Sequence, residues 1–380
     1  LPADGLSSLP LSLDVKEEIV MAKIDAFFEL MQKYKASDLH LLSGSPPILR
    51  IHGELQRVKY RVLDDAELKP MLYEIISEEQ AKEFEETGDL DFAYEIPGLA
   101  RYRANYFLHK DGIGAAFREI PNKIKSIDEL GLPPVLKRFA LLPKGLVLVT
   151  GPTGSGKSTT LAAIIDYANE NRKARIITIE DPIEFVHPHK SCVVSHREVG
   201  RHTRSFATAL RAALREDPDI ILVGEIRDLE TARLCMEAAA TGHLVFSTLH
   251  TIGATKTVDR LVEMFPSDEQ NLVRSLFSDA IRGVISQTLF KRIDRPGRVA
   301  ALEIMVGTYG VRNLIRENKT HQLSSLIQTG KKYGMQTLDD AIMDLLSRGI
   351  IDPEDAYLNA IEKAKFKPFL KHIPKDFTEV

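Results

Sequence analysis

Eight consecutive residues, Gly151-Pro152-Thr153-Gly154-Ser155-Gly156-Lys157-Ser158, restrict what this chain can fold into more than any other feature. They satisfy the pattern G-x-x-x-x-G-K-[ST] at every fixed position. The context matches too. Leu146 to Thr150 is a short apolar run that reads as a strand, and Ser158 to Ala168 carries an apolar stripe at helical spacing. A strand, a glycine-rich loop and a helix in that order make a cradle for phosphate. Glycines let backbone N–H groups turn inward, and the helix N-terminus adds a positive field. Lys157 is expected to reach the β and γ phosphates of a nucleotide, the Ser158 hydroxyl to ligate Mg²⁺, and Thr159 to border the loop.

The surrounding pattern predicts the fold class. Short Val- and Ile-rich runs at Leu146 to Thr150, Arg175 to Ile179, Ile220 to Val223 and Leu244 to Ser247 alternate with helical segments. That pattern predicts an α/β domain with a mostly parallel sheet covered by helices. Acids stand where such strands end. Asp219 to Val223 leads into Glu225, which we assign to Mg²⁺, directly or through water. Ile179-Glu180-Asp181-Pro182-Ile183-Glu184 puts three acids after another strand, and acids there are costly unless they face water, a metal or a cation. Glu184 is the preferred base for an attacking water, although residue types alone do not separate it from Glu180 or Asp181. His243 and His250 flank the strand at Leu244 to Ser247, to sense a γ-phosphate, to link the strand to a neighbouring site, or as plain surface or capped histidines.

Ahead of this domain the chain reads as a small α+β domain. Ala22 to Lys35 is predicted helical, Leu39 to Leu42 and Ile48 to Ile51 extended, and Asp65 to Glu86 helical again. Strands follow at Asp89 to Tyr94, Ala100 to Leu108 and Gly114 to Glu119. Residues 1–20 read as an extension, natural or artificial, ahead of a domain spanning 21–121, and residues 122–380 form the phosphate-binding domain, whose last hundred residues read as mostly helical. Composition narrows the partners. A net charge of −4 argues against a generally basic nucleic-acid binder, and no apolar run approaches the ~18 residues a membrane helix needs. The two cysteines, Cys192 and Cys235, cannot build a four-cysteine zinc site and fit a reducing compartment.

Four ordered stretches together resemble the secretion and pilus ATPase superfamily: Gly151 to Ser158 its Walker A, Thr178 to Glu184 its acidic box, Asp217 to Arg227 its Walker B, and Thr241 to Thr251 its histidine box. Within it the chain is most similar to the type IV pilus retraction ATPases. It has one small domain before the motor, lacks the assembly motors' cysteine motif, and carries Gly310-Val311-Arg312-Asn313-Leu314-Ile315-Arg316-Glu317. That octamer resembles the retraction motif AIRNLIRE, with Gly310 and Val311 replacing Ala and Ile. The resemblance implies a RecA-like motor domain behind a PAS-like domain, and a cytoplasmic homohexamer that hydrolyses ATP with Mg²⁺. It further implies work at the inner-membrane base of the pilus, against a platform protein and beside the assembly ATPase. No nucleic acid and no direct membrane insertion are expected. An assembly or type II secretion ATPase is the alternative. Arginines must neutralise transition-state charge. Arg101, Arg103 and Arg118 are the first candidates, with Arg204, Arg211, Arg215 and Arg227 behind them.

Overall fold

The structure, a computed structural model, describes residues 22–51, 54–120, 123–370 and 372. The expected extension at 1–20 and the expected domain boundary at Pro121 and Asn122 lie outside the described residues. The chain divides into two compact units between Glu119 and Ile120.

The first unit runs α1 (Asp25–Tyr34), β1 (Asp38–Leu42), β2 (Ile48–Ile51), β3 (Glu54–Arg57), α2 (Asp65–Tyr73), α3 (Glu78–Thr87), β4 (Asp89–Ile96), β5 (Ala100–His109) and β6 (Gly112–Ile120). Its strands form one sheet in the order β3-β2-β1-β6-β5-β4. Alternation along β5 sends Tyr102, Ala104 and Tyr106 into the core, where Phe28 of α1 stacks on Tyr102 at 4.3 Å. Arg101 and Arg103 consequently share the opposite face. The single helix expected over 65–86 is two helices. Ser77 starts the second: its hydroxyl accepts from the Gln80 amide, and the Gln80 side chain accepts from the Ser77 amide. β3 escaped the sequence reading because all four of its residues are exposed, so no apolar alternation marks it.

The second unit contains α4 (Val135–Ala140), β7 (Gly145–Thr150), α5 (Lys157–Asn171), β8 (Arg175–Glu180), β9 (Val193–Glu198), α6 (Phe206–Ala213) and β10 (Ile220–Val223). It continues with α7 (Leu229–Thr241), β11 (Leu244–Leu249), α8 (Ala254–Glu263), α9 (Gln270–Ala280), β12 (Ile281–Lys291) and β13 (Arg298–Val306). Last come α10 (Tyr309–Arg316), α11 (Leu323–Thr329), α12 (Leu338–Ser347) and α13 (Pro353–Asn359). Seven strands form one sheet, β13-β12-β7-β11-β10-β8-β9, parallel from β12 to β9 with only β13 antiparallel.

Both faces of this sheet are buried, which is why its central strands read as unbroken apolar runs. Leu146, Leu148, Ile221, Val223 and Val245 pack beneath α6 to α11. Val147, Val149, Ile220, Leu222 and Phe246 pack beneath α4 and α5. The expectation of a mostly helical C-terminal region needs correction, because that region opens with the long hairpin β12–β13. Its residues Ile281 and Val284 join one core and Ile285 and Ile304 the other, so the hairpin completes the sheet under both helical layers. β9 was also missed. Three of its six residues, Ser195, His196 and Arg197, are polar and only half buried.

A candidate nucleotide site at the strand ends

All parallel strands of the second unit deliver their C-terminal ends to one edge. β7 ends at Thr150 and opens into the phosphate loop, β11 ends at Leu249 before His250, β10 ends at Val223 before Glu225, and β8 ends at Glu180. Register fixes the alignment: Leu249 pairs with Thr150, and Val223 pairs with both Ser247 and Ile179. With strands about 4.8 Å apart, the loop and Glu225 arise from strands about 10 Å apart, separated by β11. This is the edge where ligands of open α/β sheets collect.

The loop is shaped to hold phosphate. Gly151 has φ +140, and a Cβ there would lie 2.3 Å from the Gln287 carbonyl. Gly156, at φ +85, is the N-cap of α5 and offers no side-chain cap, so the first amides of the helix keep their donors for another acceptor. Ser155 Oγ is buried with no hydrogen-bond partner among the described residues. Pro152, Thr153 and Gly154 form the exposed lip, and Ser158 and Thr159 lie half-buried in the first turn of α5. Lys157 Nζ donates to the carbonyls of Gly151 at 2.9 Å and Pro152 at 3.1 Å. Burial lowers its pKa, while the charges of Glu225 and Glu184 pull the other way, so both acids lie within its field.

Around Glu225 the edge is a charge network. His250 Nε2 lies 3.0 Å from Glu225 Oε1, and Arg227 Nε donates to Glu225 Oε2 at 3.0 Å. The Arg227 guanidinium also reaches Asp181 at 3.4 Å, which ties Walker B to the acidic box. Glu184 is half-buried, and its amide donates to Glu180 Oε2 at 3.1 Å.

His243 stands apart from His250. It precedes β11, at the opposite end of the strand from His250, roughly 20 Å away along six residues. Its Nδ1 sits 3.0 Å from the Ala238 carbonyl at the end of α7, so within this chain it caps a helix. The candidate arginines of the first unit differ in their partners. Arg101 pairs with Glu95 at 3.4 Å, Arg118 with Asp38 at 2.8 Å, and Arg103 is exposed on β5. In the second unit Arg211 pairs with Glu230, and only Arg227 of its candidates meets the carboxylates at the strand ends.

Residues 116–331 match the family model described as type II/IV secretion system protein. A relative from Pseudomonas aeruginosa, the type IV pilus retraction ATPase PilT, is 54% identical over 91% of this chain and 97% of its own length. The chain belongs to this family. The twitching motility protein of Neisseria gonorrhoeae is 48% identical over 87% of this chain and 90% of its own length. The crystal structure of the pilus retraction motor PilT with bound ADP superposes with a TM-score of 0.85 at 43% identity, covering 92% of this chain and 99% of that one. As a member of the family the protein is a nucleotide-binding P-loop ATPase, an α/β motor domain behind an N-terminal domain.

Gln287 was missed by the sequence reading. It is buried on β12, donates to the Ser155 carbonyl and accepts from Thr160 Oγ1 at 2.7 Å, so it staples the loop to α5. Its signal is present, as Ser286 and Gln287 interrupt an apolar strand, but the sequence pattern predicts helix there.

Proposed function

We propose that the protein is a ring-forming motor whose ATP hydrolysis drives type IV pilus retraction, and hence twitching motility. The observation that carries this is the convergence of the phosphate loop, Glu225, His250 and the Glu184 loop on one sheet edge. Relatives that match over nearly their whole length and bear retraction and twitching names support the direction of work.

In this reading the backbone N–H groups of the phosphate loop and the ammonium of Lys157 hold the triphosphate. Ser158 and Glu225 would hold Mg²⁺, which would supply positive charge against the phosphate oxygens. Glu184 accepts the proton of the attacking water. His250 and Arg227 set the orientation of Glu225 from either side. Arg103, Arg118 or Arg101 of a neighbour in a homohexamer supplies further positive charge. Nucleotide-dependent changes in successive subunits then deform the ring against an inner-membrane platform protein on its cytoplasmic face, in opposition to the assembly ATPase. Among the described residues no helix is long and apolar enough to cross a membrane.

Deleting the gene tests the direction. Retraction predicts surviving surface pili without twitching, and bald cells would assign the protein to assembly instead. Purified Glu184→Gln tests the chemistry: it should bind ATP and lose turnover, and full turnover would remove Glu184 as the base.

A further inference from the structure

Glu180 and Glu198 are register partners on the parallel strands β8 and β9. Both carboxylates are buried, with residue exposures of 7% and 5%. Adjacent buried acids are expensive unless each is hydrogen-bonded. One oxygen of each accepts from one short turn, while Glu180 Oε1 is buried without a hydrogen bond among the described residues. Glu198 Oε2 accepts from the Ile183 amide at 3.0 Å, and Glu180 Oε2 accepts from the Glu184 amide at 3.1 Å. Two successive amides, the second belonging to Glu184 itself, are therefore held by two different strands. Hydrogen bonds to an ionised acceptor are about twice as strong as neutral ones.

Glu198 is fixed in turn. Its own amide donates to His202 Nδ1 at 2.9 Å, and the next amide, that of Val199, donates to the Glu180 carbonyl at 2.9 Å. On the far side of Glu180, His196 packs with Nδ1 2.8 Å from Thr178 Oγ1 and 3.9 Å from Glu180 Oε1. Nothing in this arrangement places Glu198 among the phosphate ligands. It acts on the turn that carries Glu184.

We infer that Glu198 is a positioning residue for ATP hydrolysis: paired with Glu180, it holds the backbone of residues 181–184 so that Glu184 faces the phosphate loop. The inference rests on Glu184 being the base. A neutral acceptor of the same shape suffices for this role, whereas a methyl group does not.

The test uses the full-length protein. Glu198→Ala should lower kcat by about 10²-fold, the size expected for a displacement near 1 Å. Affinity for a fluorescent ATP analogue should stay within about twofold, because the phosphate loop is untouched. Glu198→Gln keeps an acceptor and should recover kcat to within about fivefold of the parent. Unchanged kcat in Glu198→Ala overturns the inference. So does a joint fall in kcat and affinity that glutamine fails to rescue, since that marks a structural role. Should the alanine variant not fold, hydrogen exchange on the parent decides. The Ile183 and Glu184 amides should exchange as slowly as those of β8, and exchange at exposed-loop rates would refute the clamp. Glu184→Gln run in parallel separates the two assignments. If it keeps turnover, the base assignment fails. If it loses turnover while Glu198→Ala does not, only the clamp fails.

Discussion

Replacing Gln287 by Leu removes the staple on the phosphate loop while nearly preserving volume. The parent side chain is 2% exposed and makes two hydrogen bonds, donating to the Ser155 carbonyl and accepting from Thr160 Oγ1. Leucine leaves both partners buried and unpaired. Each costs roughly 1–3 kcal/mol, with some relief as the loop shifts, so about 3 kcal/mol is expected in all. At about 2–4 °C per kcal/mol for a unit of this size, Tm should drop by roughly 6–12 °C. Nucleotide binding should weaken as well, because the loop must be returned to its cradle conformation. If the whole cost is recovered on binding, affinity falls by up to about 10²-fold. Gln287→Glu sharpens the test. A carboxylate still accepts from Thr160, but it faces the Ser155 carbonyl without a proton to donate and places negative charge beside the phosphates. It should bind nucleotide more weakly than the Leu variant. Thermal unfolding with and without ATP, plus titration of a fluorescent analogue, reads both quantities. A Leu variant within 1–2 °C and about twofold of the parent would refute the reasoning.

Arg103→Ala should lower turnover more than ATP affinity in steady-state assays, and unchanged turnover would remove Arg103 from the site. On α10, Val311 and Ile315 are buried while Leu314 is half-buried and Arg316 pairs with Asp279 at 2.8 Å on the surface. Such a pair contributes about 0–1 kcal/mol, so Leu314→Ala and Arg316→Ala should leave ATPase activity largely intact and abolish twitching; normal twitching would sink that assignment. His187 gives a pH prediction. Burial, reinforced by repulsion from His196 and Lys190, pushes its pKa down to about 3. A depressed histidine contributes stability that is complete above the unfolded pKa near 6.5 and is lost as pH falls toward 3. Between pH 7 and pH 5 the parent should lose about 2 kcal/mol that His187→Phe does not, measured by denaturant unfolding.

The phosphate loop was legible because its chemistry is local. Backbone amides, glycines at positive φ and the lysine all lie within eight residues, so order along the chain is order in space. The central strands were legible because a sheet buried on both faces leaves continuous apolar runs. The helix start at Ser77 was written in the Ser-x-x-Gln pattern, although the apolar spacing on either side concealed the break. β3 and β9 gave no such pattern, since a strand that is exposed or polar at an edge has no alternation to read.

What the sequence determined alone was the kind of chemistry and the list of acids that could serve it. Tertiary structure decided which of them meet. Strand order puts β11 and β10 between β7 and β8, which brings His250 and Glu225 together and sends His243 to the other end of the same strand. It also carries Gln287 and Glu198, 131 and 42 residues beyond Gly156, back to the loops they hold. A hydrogen bond needs about 3 Å in space and sets no limit on separation along the chain, so only the packed sheet could make those two residues part of the site.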